Sequence, residues 1–222
     1  MGSFHNRGVI RHKGVLMKDN LKVLFVEDRA SHIADLNAML ADELPRLPIH
    51  IIPLLAENLQ WAMPVLEKDA DGVVTDVFFP ADAGGDPEQP NGQLIVEACL
   101  RLQKPVVWVT STYHHGRKTN PVSEWGRQRG LEMFDCYKAG HGEAAHKPWK
   151  KALYGLLYTI VAVEMGKCLF IDGKIMYRPS RGSDMRAAIN FGDVRPFLEA
   201  QSEDSNNPVI MKMVELGFKL AT

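Results

Sequence analysis

The residues with the clearest chemical potential are acids that follow apolar segments. Glu27 and Asp28 come directly after "LKVLFV", and Asp76 comes near the end of "DGVVTDVFFP". Carboxylates held within a few ångströms of one another repel, so such a cluster raises its own pKa values or requires a cation. Oxygen donors that are few in number and open to water suit Mg²⁺, which commonly shares its site with phosphate. The acids therefore predict a magnesium site.

These acids can meet only if the apolar segments before them form neighbouring parallel strands. Strand-like and helix-like segments alternate along residues 21–166. Alternation with continuous apolar strands predicts an α/β fold, a doubly wound parallel sheet of five strands with helices on both faces. In the strand order 2-1-3-4-5, strands one and three are adjacent, and the functional crevice lies beyond their carboxyl ends. We therefore expect Glu27, Asp28 and Asp76 at one edge of the sheet.

Other residues along the predicted strands agree with this arrangement. Ser31 is a suitable N-cap for the first helix, and Pro53 in "IHIIPLL" favours an edge position for the second strand. The fourth strand, "KPVVWVTSTYHH", carries Thr110 and Ser111, and the fifth, "MFDCYK", ends at Lys138. Hydroxyl and ammonium donors suit phosphoryl oxygens. The sequence therefore predicts phosphate-binding groups beside the acids.

After Gly166 the pattern changes. "CLFIDGKIMY" has two apolar runs joined by Asp172 and Gly173, which predicts a β-hairpin. "NNPVIMKMVELGF" offers Asn207 as an N-cap and Pro208 at the first turn of a helix. We therefore divide the chain into an N-terminal extension that we expect to be disordered, a main domain and a small C-terminal hairpin and helix extension, at residues 1–20, 21–166 and 167–222.

Composition argues against several function classes. The 26 basic and 27 acidic residues are spread along the chain, without a tract that would bind nucleic acid. The longest apolar run, residues 152–163, is shorter than the roughly 20 residues of a membrane helix, so we expect a buried or dimerising helix there. Three cysteines, an odd number, fit a reducing compartment. We expect a cytoplasmic protein with no nucleic-acid or membrane partner.

The order of these groups resembles that of response-regulator receiver domains, the chemotaxis-type, flavodoxin-like proteins that accept phosphate from a histidine kinase in two-component signalling. The matching features are the acidic pair after strand one and the aspartate of "DVFFP", with Pro80 four residues on. The Thr110 and Ser111 pair after "VVWV" also matches, as does a lysine at or beyond strand five. The resemblance covers residues 21–166.

This resemblance implies a role for each group. Asp76 would be the phosphoacceptor, and Thr110 and a lysine would bind the phosphoryl oxygens. Mg²⁺ would be held by Glu27, Asp28, Asp76 and the backbone carbonyl of Phe78. The resemblance further implies a phosphoprotein of a phosphorelay rather than an enzyme. Its partners would be a histidine kinase or phosphotransfer protein and a downstream protein, and a homodimer is compatible with it.

Two lysines are candidates for the phosphate contact. The family usually has Lys-Pro directly after strand five, and Lys147 and Pro148 match these letters. The preceding "AGHGEAAH" is not strand-like, whereas Lys138 ends "MFDCYK", so we prefer Lys138 on geometric grounds and keep Lys147 as the rival. The aromatic residue that the family carries three positions before this lysine is absent, because Asp135 or Ala144 stands there.

Two other functions remain open for the same residues. A pseudo-receiver would use this fold as a phosphorylation-independent protein-binding module, which the irregular strand-five region allows. A Mg²⁺-dependent phosphohydrolase is less favoured. Such enzymes commonly use an aspartate two residues after the nucleophile, and this chain has Phe78 there.

Overall fold

The computed structural model describes residues 18, 20–111, 119–131, 133–135, 146–177 and 207–218. Most of the predicted N-terminal extension therefore lies outside the described residues, as does Lys138. The proposed division of the chain into three parts stays a prediction.

Five parallel strands form the main sheet, in the order β2-β1-β3-β4-β5. They are β1 (Asn20–Val26), β2 (His50–Ala56), β3 (Gly72–Asp76), β4 (Val106–Val109) and β5 (Met133–Phe134). This is the flavodoxin-like order, so the predicted fold class is confirmed. As predicted, β2 is an edge strand, where the exposed Pro53 is tolerated.

Helices cover both faces of this sheet. The helices of the described residues are α1 (Ala30–Glu43), α2 (Leu59–Lys68), α3 (Gly92–Leu102), α4 (Asn120–Arg127), α5 (Trp149–Glu164) and α6 (Pro208–Glu215). The chain reverses its direction across the sheet after β2, so right-handed crossovers place α1 on one face and α2 and α3 on the other. Contacts between α1 and α5 and between α2 and α3 agree with this placement.

The core consists of the central strands and the helices packed on them. Every residue of β3 and β4 is buried, and residues 23–26 of β1 are inaccessible to solvent. Strands that are covered on both faces consist of continuous apolar residues, which is the pattern that the sequence contains. On one face Leu153, Leu156 and Leu157 of α5 are also fully buried.

The first helix begins earlier than predicted. It starts at Ala30 with Arg29 in the N-cap position, so the prediction of Ser31 as the N-cap is wrong. The Arg29 amide donates a hydrogen bond to Glu27 Oε1 at 3.0 Å. A carboxylate two residues back thus satisfies an amide at the start of the helix, which makes a capping serine unnecessary.

The predicted C-terminal hairpin and helix are both present. The hairpin consists of β6 (Cys168–Ile171) and β7 (Lys174–Tyr177). Its turn residues have positive φ, 49° at Asp172 and 67° at Gly173, as a two-residue hairpin loop requires. Asn207 caps α6, as predicted, because its side chain accepts a hydrogen bond from the Val209 amide at 3.0 Å.

This extension packs on the main domain and buries much of α5. The amide group of Asn207 donates to the Tyr158 hydroxyl of α5 at 3.3 Å, and α5 also contacts β6. Contacts with the sheet, α1, α6 and the hairpin explain why α5 is apolar around most of its circumference. Its apolar run is therefore buried within the chain. Among the described residues, no helix has the length and apolar character to cross a membrane.

We expect Met213→Ala in α6 to lower the free energy of unfolding by about 2 to 4 kcal/mol, because it leaves a cavity against α5. Met213 is 1% exposed, whereas Met211 in the same helix is 51% exposed. Urea denaturation followed by circular dichroism measures both, and Met211→Ala should change stability little. Equal effects of the two substitutions would contradict the packing of α6 described above.

Candidate functional site

The carboxyl ends of β1 and β3 bring the predicted acids together. Val26 and Thr75 are register partners in these adjacent strands, so Glu27 and Asp76 follow at the same level. One carboxylate oxygen each from Glu27, Asp28 and Asp76 lies within 4.8 Å of the others. Glu27 is inaccessible to solvent, Asp76 is 5% exposed and Asp28 is half-buried. The predicted acidic cluster therefore forms.

The ammonium group of Lys147 bridges two of these acids. Its Nζ lies 2.5 Å from Glu27 Oε2 and 2.6 Å from Asp76 Oδ2, and its side chain is 1% exposed. The residue precedes α5, and its ammonium group lies 5.5 Å from the centroid of the Trp149 ring. The structure thus brings the rival lysine to the site. The preferred one, Lys138, lies outside the described residues.

His32 is a further site residue, which sequence reasoning missed. Its side chain is 4% exposed, and its Nδ1 lies 3.5 Å from Glu27 Oε1. The available signal was the four-residue spacing of His32, Leu36 and Leu40, which places all three on the buried face of α1. The imidazole therefore packs behind the Glu27 carboxylate.

The environments of Glu27 and Asp76 shift their pKa values in opposite directions. Burial alone would raise the pKa of Glu27, but His32, Lys147 and the Arg29 amide together hold it below its ordinary value. Burial raises the pKa of Asp76 to about 6, and Lys147 opposes this shift while the charge of Glu27 adds to it. The difference arises because Glu27 has more donors around it than Asp76 has. Asp76 is therefore the first of the pair to take up a proton.

The donor set fits a hard divalent cation. Burial and the charge of Glu27 raise the pKa of Asp28, and its buried Oδ1 has no hydrogen-bond partner among the described residues. A buried acceptor without a donor requires an explanation, and a cation supplies one. With its acids ionised, the cluster and Lys147 carry two net negative charges, which one Mg²⁺ ion would balance. The carbonyl of Phe78, two residues after Asp76, stays a predicted ligand.

The end of β4 places Thr110 and Ser111 at the same edge of the sheet. Val109 is the register partner of Asp76, and Thr110 follows it directly. The Thr110 amide donates to the Phe134 carbonyl of β5 at 2.9 Å. Both residues are buried, with exposures of 2% and 4%. Their predicted contact with a phosphoryl group stays a prediction.

Asn91 and Gly92 fix the chain after Asp76, and the sequence reasoning assigned neither of them a role. The side-chain amide of Asn91 donates to the Phe79 carbonyl at 2.7 Å, and the Gly92 amide donates to the Val77 carbonyl at 3.1 Å. A Cβ atom at position 92 would collide with the Asp76 carbonyl oxygen. Only glycine therefore allows α3 to begin this close to Asp76.

The sequence matches no protein-family model and no curated protein. Among solved structures, the non-phosphorylated receiver domain of the stress response regulator RcsB from Escherichia coli has 14% identity and a TM-score of 0.39, covering 66% of this chain and 95% of that chain. The BeF3-activated conformation of SdrG from Pseudomonas melonis Fr1 has 22% identity and a TM-score of 0.36, covering 61% of this chain and 95% of that chain.

A third similar structure is the response regulator RcsB from Salmonella typhimurium. It has 13% identity and a TM-score of 0.37, covering 90% of this chain and 89% of that chain. Sequence identities below 25% and TM-scores below 0.5 do not establish a shared function. The strand order shows that the described core has the flavodoxin-like fold, and the acidic cluster lies at the carboxyl edge of its sheet.

The raised pKa of Asp76 predicts a pH-dependent stability in the presence of EDTA. The folded state holds a proton up to about pH 6, whereas an unfolded aspartate releases it near pH 4. Asp76 therefore favours the folded state at pH 4 and loses this contribution as the pH rises to 7. Relative to Asp76→Asn, the free energy of unfolding of the wild type should fall by up to about 3 kcal/mol across this range.

Urea denaturation at several pH values measures this difference. Asp82→Asn, at an exposed position, is the matched control for the loss of one carboxylate. A constant difference between the wild type and Asp76→Asn would contradict the raised pKa.

Proposed function

We propose that this protein is a phosphoryl-accepting response regulator of a two-component system and that Asp76 is the phosphoacceptor. The supporting observation is the buried Asp76 carboxylate, which lies 2.6 Å from the Lys147 ammonium group and within 4.8 Å of the Glu27 and Asp28 oxygens. This set combines a nucleophile, donors for phosphoryl oxygens and ligands for Mg²⁺. The phosphoryl donor is a histidine kinase or a phosphotransfer protein, and the output is contact with a downstream protein.

The reaction transfers a phosphoryl group to one Asp76 oxygen. A new P–O bond forms as the bond between phosphorus and the donor atom breaks, and the electron pair of the broken bond leaves with the donor. Held by Glu27, Asp28, Asp76 and the Phe78 carbonyl, Mg²⁺ would supply positive charge to the phosphoryl oxygens. Catalysis here consists of positioning and electrostatic stabilisation.

The residues around Asp76 prepare it for this step. The Val77 amide donates to Asp76 Oδ1 at 2.7 Å and fixes the orientation of the carboxylate. Lys147 provides a cation for the phosphoryl oxygens, and Thr110 provides a hydroxyl group at the same edge. The burial of Asp76 limits the access of water and slows hydrolysis of the acyl phosphate.

We expect the protein to gain one phosphoryl group, about 80 Da, when it is incubated with acetyl phosphate and Mg²⁺. Intact-mass spectrometry measures the gain, which Asp76→Asn should abolish because the nucleophile is lost. Asp82→Asn should be phosphorylated like the wild type. An equal gain in Asp76→Asn would place the phosphoryl group elsewhere.

The two candidate lysines can be separated by matched substitutions. Lys147→Met should slow phosphorylation by acetyl phosphate about 100-fold, as is typical when one donor to a transition-state oxygen is removed. Lys138→Met should have little effect. Time courses by mass spectrometry at saturating Mg²⁺ measure both rates, and thermal unfolding verifies that both variants are folded. A large effect of Lys138→Met alone would assign the role to that lysine.

The pseudo-receiver remains the second candidate, and one observation favours it. Lys147 already pairs with both Glu27 and Asp76, so the buried acids are partly neutralised without a cation. In a pseudo-receiver this pairing is permanent and the fold serves only as a binding module. A folded wild-type protein that takes up no phosphate from acetyl phosphate would support this alternative.

A further inference from the structure

We infer that His32 is a positioning residue of the proposed cation site, which holds the Glu27 carboxylate in one orientation and thereby favours Mg²⁺ over Ca²⁺. The imidazole is not a ligand in this arrangement, because oxygens of Glu27, Asp28 and Asp76, which lie within 4.8 Å of one another, make up the donor set. The inference rests on the proposed function, since it requires that these acids hold a cation.

The two carboxylate oxygens of Glu27 have different surroundings. Oε2 lies 2.5 Å from the Lys147 ammonium group, which also lies 2.6 Å from Asp76 Oδ2. Oε2 and Asp76 Oδ2 therefore face the same point. Oε1 accepts a hydrogen bond from the Arg29 amide at 3.0 Å and lies 3.5 Å from His32 Nδ1. Groups at the start of α1 thus hold one oxygen, which leaves the other directed into the acidic cluster.

The imidazole of His32 has a fixed position from which it can orient this carboxylate. Its side chain is 4% exposed and lies on the buried face of α1, which also carries Leu36 and Leu40. Close packing around a buried ring limits its rotation. The Glu27 side chain is also inaccessible to solvent. Because solvent screens buried groups little, the attraction between the imidazole and the carboxylate is effective at 3.5 Å.

The Nδ1 atom of His32 has no other described partner. It is buried and forms no hydrogen bond to the described residues. We assign a proton to Nδ1, since the lone pair of the other tautomer would face a negatively charged carboxylate. A buried polar atom without a hydrogen bond requires an explanation, because an apolar residue like Leu36 would avoid its cost. The attraction of the Nδ1 proton to Glu27 provides that explanation.

The orientation of Glu27 bears on which cation the site selects. Mg²⁺ requires a nearly ideal octahedral arrangement of oxygens, whereas Ca²⁺ accepts irregular and flexible ligand sets. Groups that orient a metal-binding carboxylate typically change metal affinity about 10- to 100-fold when they are removed. Without His32 only the Arg29 amide would hold Oε1 among the contacts described above, and the carboxylate would rotate more freely. This loss should therefore affect Mg²⁺ more than Ca²⁺.

NMR titrations of the full-length chain with magnesium chloride and calcium chloride test this selectivity. The Val77 amide, which donates to Asp76 Oδ1 at 2.7 Å, reports binding. We expect His32→Leu to weaken Mg²⁺ binding about tenfold or more and Ca²⁺ binding less than about threefold. His50→Leu is the matched control and should bind both cations like the wild type, because His50 is exposed and contacts Asn20 at the start of β1.

Two amide substitutions separate positioning from general damage to the site. The side-chain nitrogen of His32→Asn corresponds to Nδ1 of the imidazole, so this variant should bind Mg²⁺ within about threefold of the wild type. The nitrogen of His32→Gln corresponds to Nε2 and should not restore binding. Thermal unfolding verifies that each variant is folded. If His32→Leu does not fold, the difference between His32→Asn and His32→Gln tests the inference alone.

The wild-type protein offers a spectroscopic test that needs no substitution. Nitrogen-15 NMR of the imidazole distinguishes a protonated ring nitrogen from one with a free lone pair. We expect Nδ1 of His32 to be protonated both without and with Mg²⁺, because it faces Glu27 in both cases. An unprotonated Nδ1 would overturn the inference.

The outcomes distinguish this inference from the proposed function. Mg²⁺ binding that is unchanged in His32→Leu, or weakened equally with Ca²⁺ binding and not restored by His32→Asn, would overturn the role of His32. Either result would leave Asp76 as the proposed phosphoacceptor. If the folded wild type binds no Mg²⁺, both the role of His32 and the proposed Mg²⁺-dependent phosphorylation are wrong.

Discussion

The buried ion cluster around Lys147 is the interaction on which the arrangement of this domain depends. One ammonium group contacts Glu27 after β1 and Asp76 at the end of β3, and it thereby fixes the start of α5 to the sheet edge. Removing one partner of such a buried pair leaves an uncompensated charge, which lowers the free energy of unfolding by about 3 to 5 kcal/mol. The cluster therefore favours the strand order in which β1 and β3 are adjacent. Only adjacent strands bring both carboxylates within reach of one ammonium group.

The same cluster sets the conditions for chemistry at Asp76. Glu27 keeps its charge because His32, Lys147 and the Arg29 amide surround it, whereas burial raises the pKa of Asp76 to about 6. Any cation that binds the Glu27 and Asp76 oxygens contacted by Lys147 competes with its ammonium group for them. The free energy of replacing the Lys147 contacts by a bound cation would decide whether the domain works as a receiver or as a pseudo-receiver. A stronger pairing of Lys147 with Glu27 and Asp76 stabilises the fold and weakens the binding of a cation at these acids.

The sequence allowed the fold, the acidic cluster and the extension to be predicted, because their signals are local. Continuous apolar strands, the Asp172 and Gly173 turn and the Asn207 cap each depend on residues close together in the chain. The position of Lys147 could not be predicted in this way, since it lies 120 residues from its partner Glu27. In addition, Lys138 of the "MFDCYK" pattern lies outside the described residues, so the choice between the two lysines as the phosphate contact stays a prediction.

The apolar run of α5 shows a second limit of sequence patterns. Burial of apolar surface is not directional, so the run was compatible with burial in the chain or with a dimer. In the structure α6 and β6 contact α5, and the buried residues Met213 and Cys168 contribute to the same core. The described elements of the extension thus share the core of the main domain. The packing of the extension and the core of the main domain therefore depend on each other.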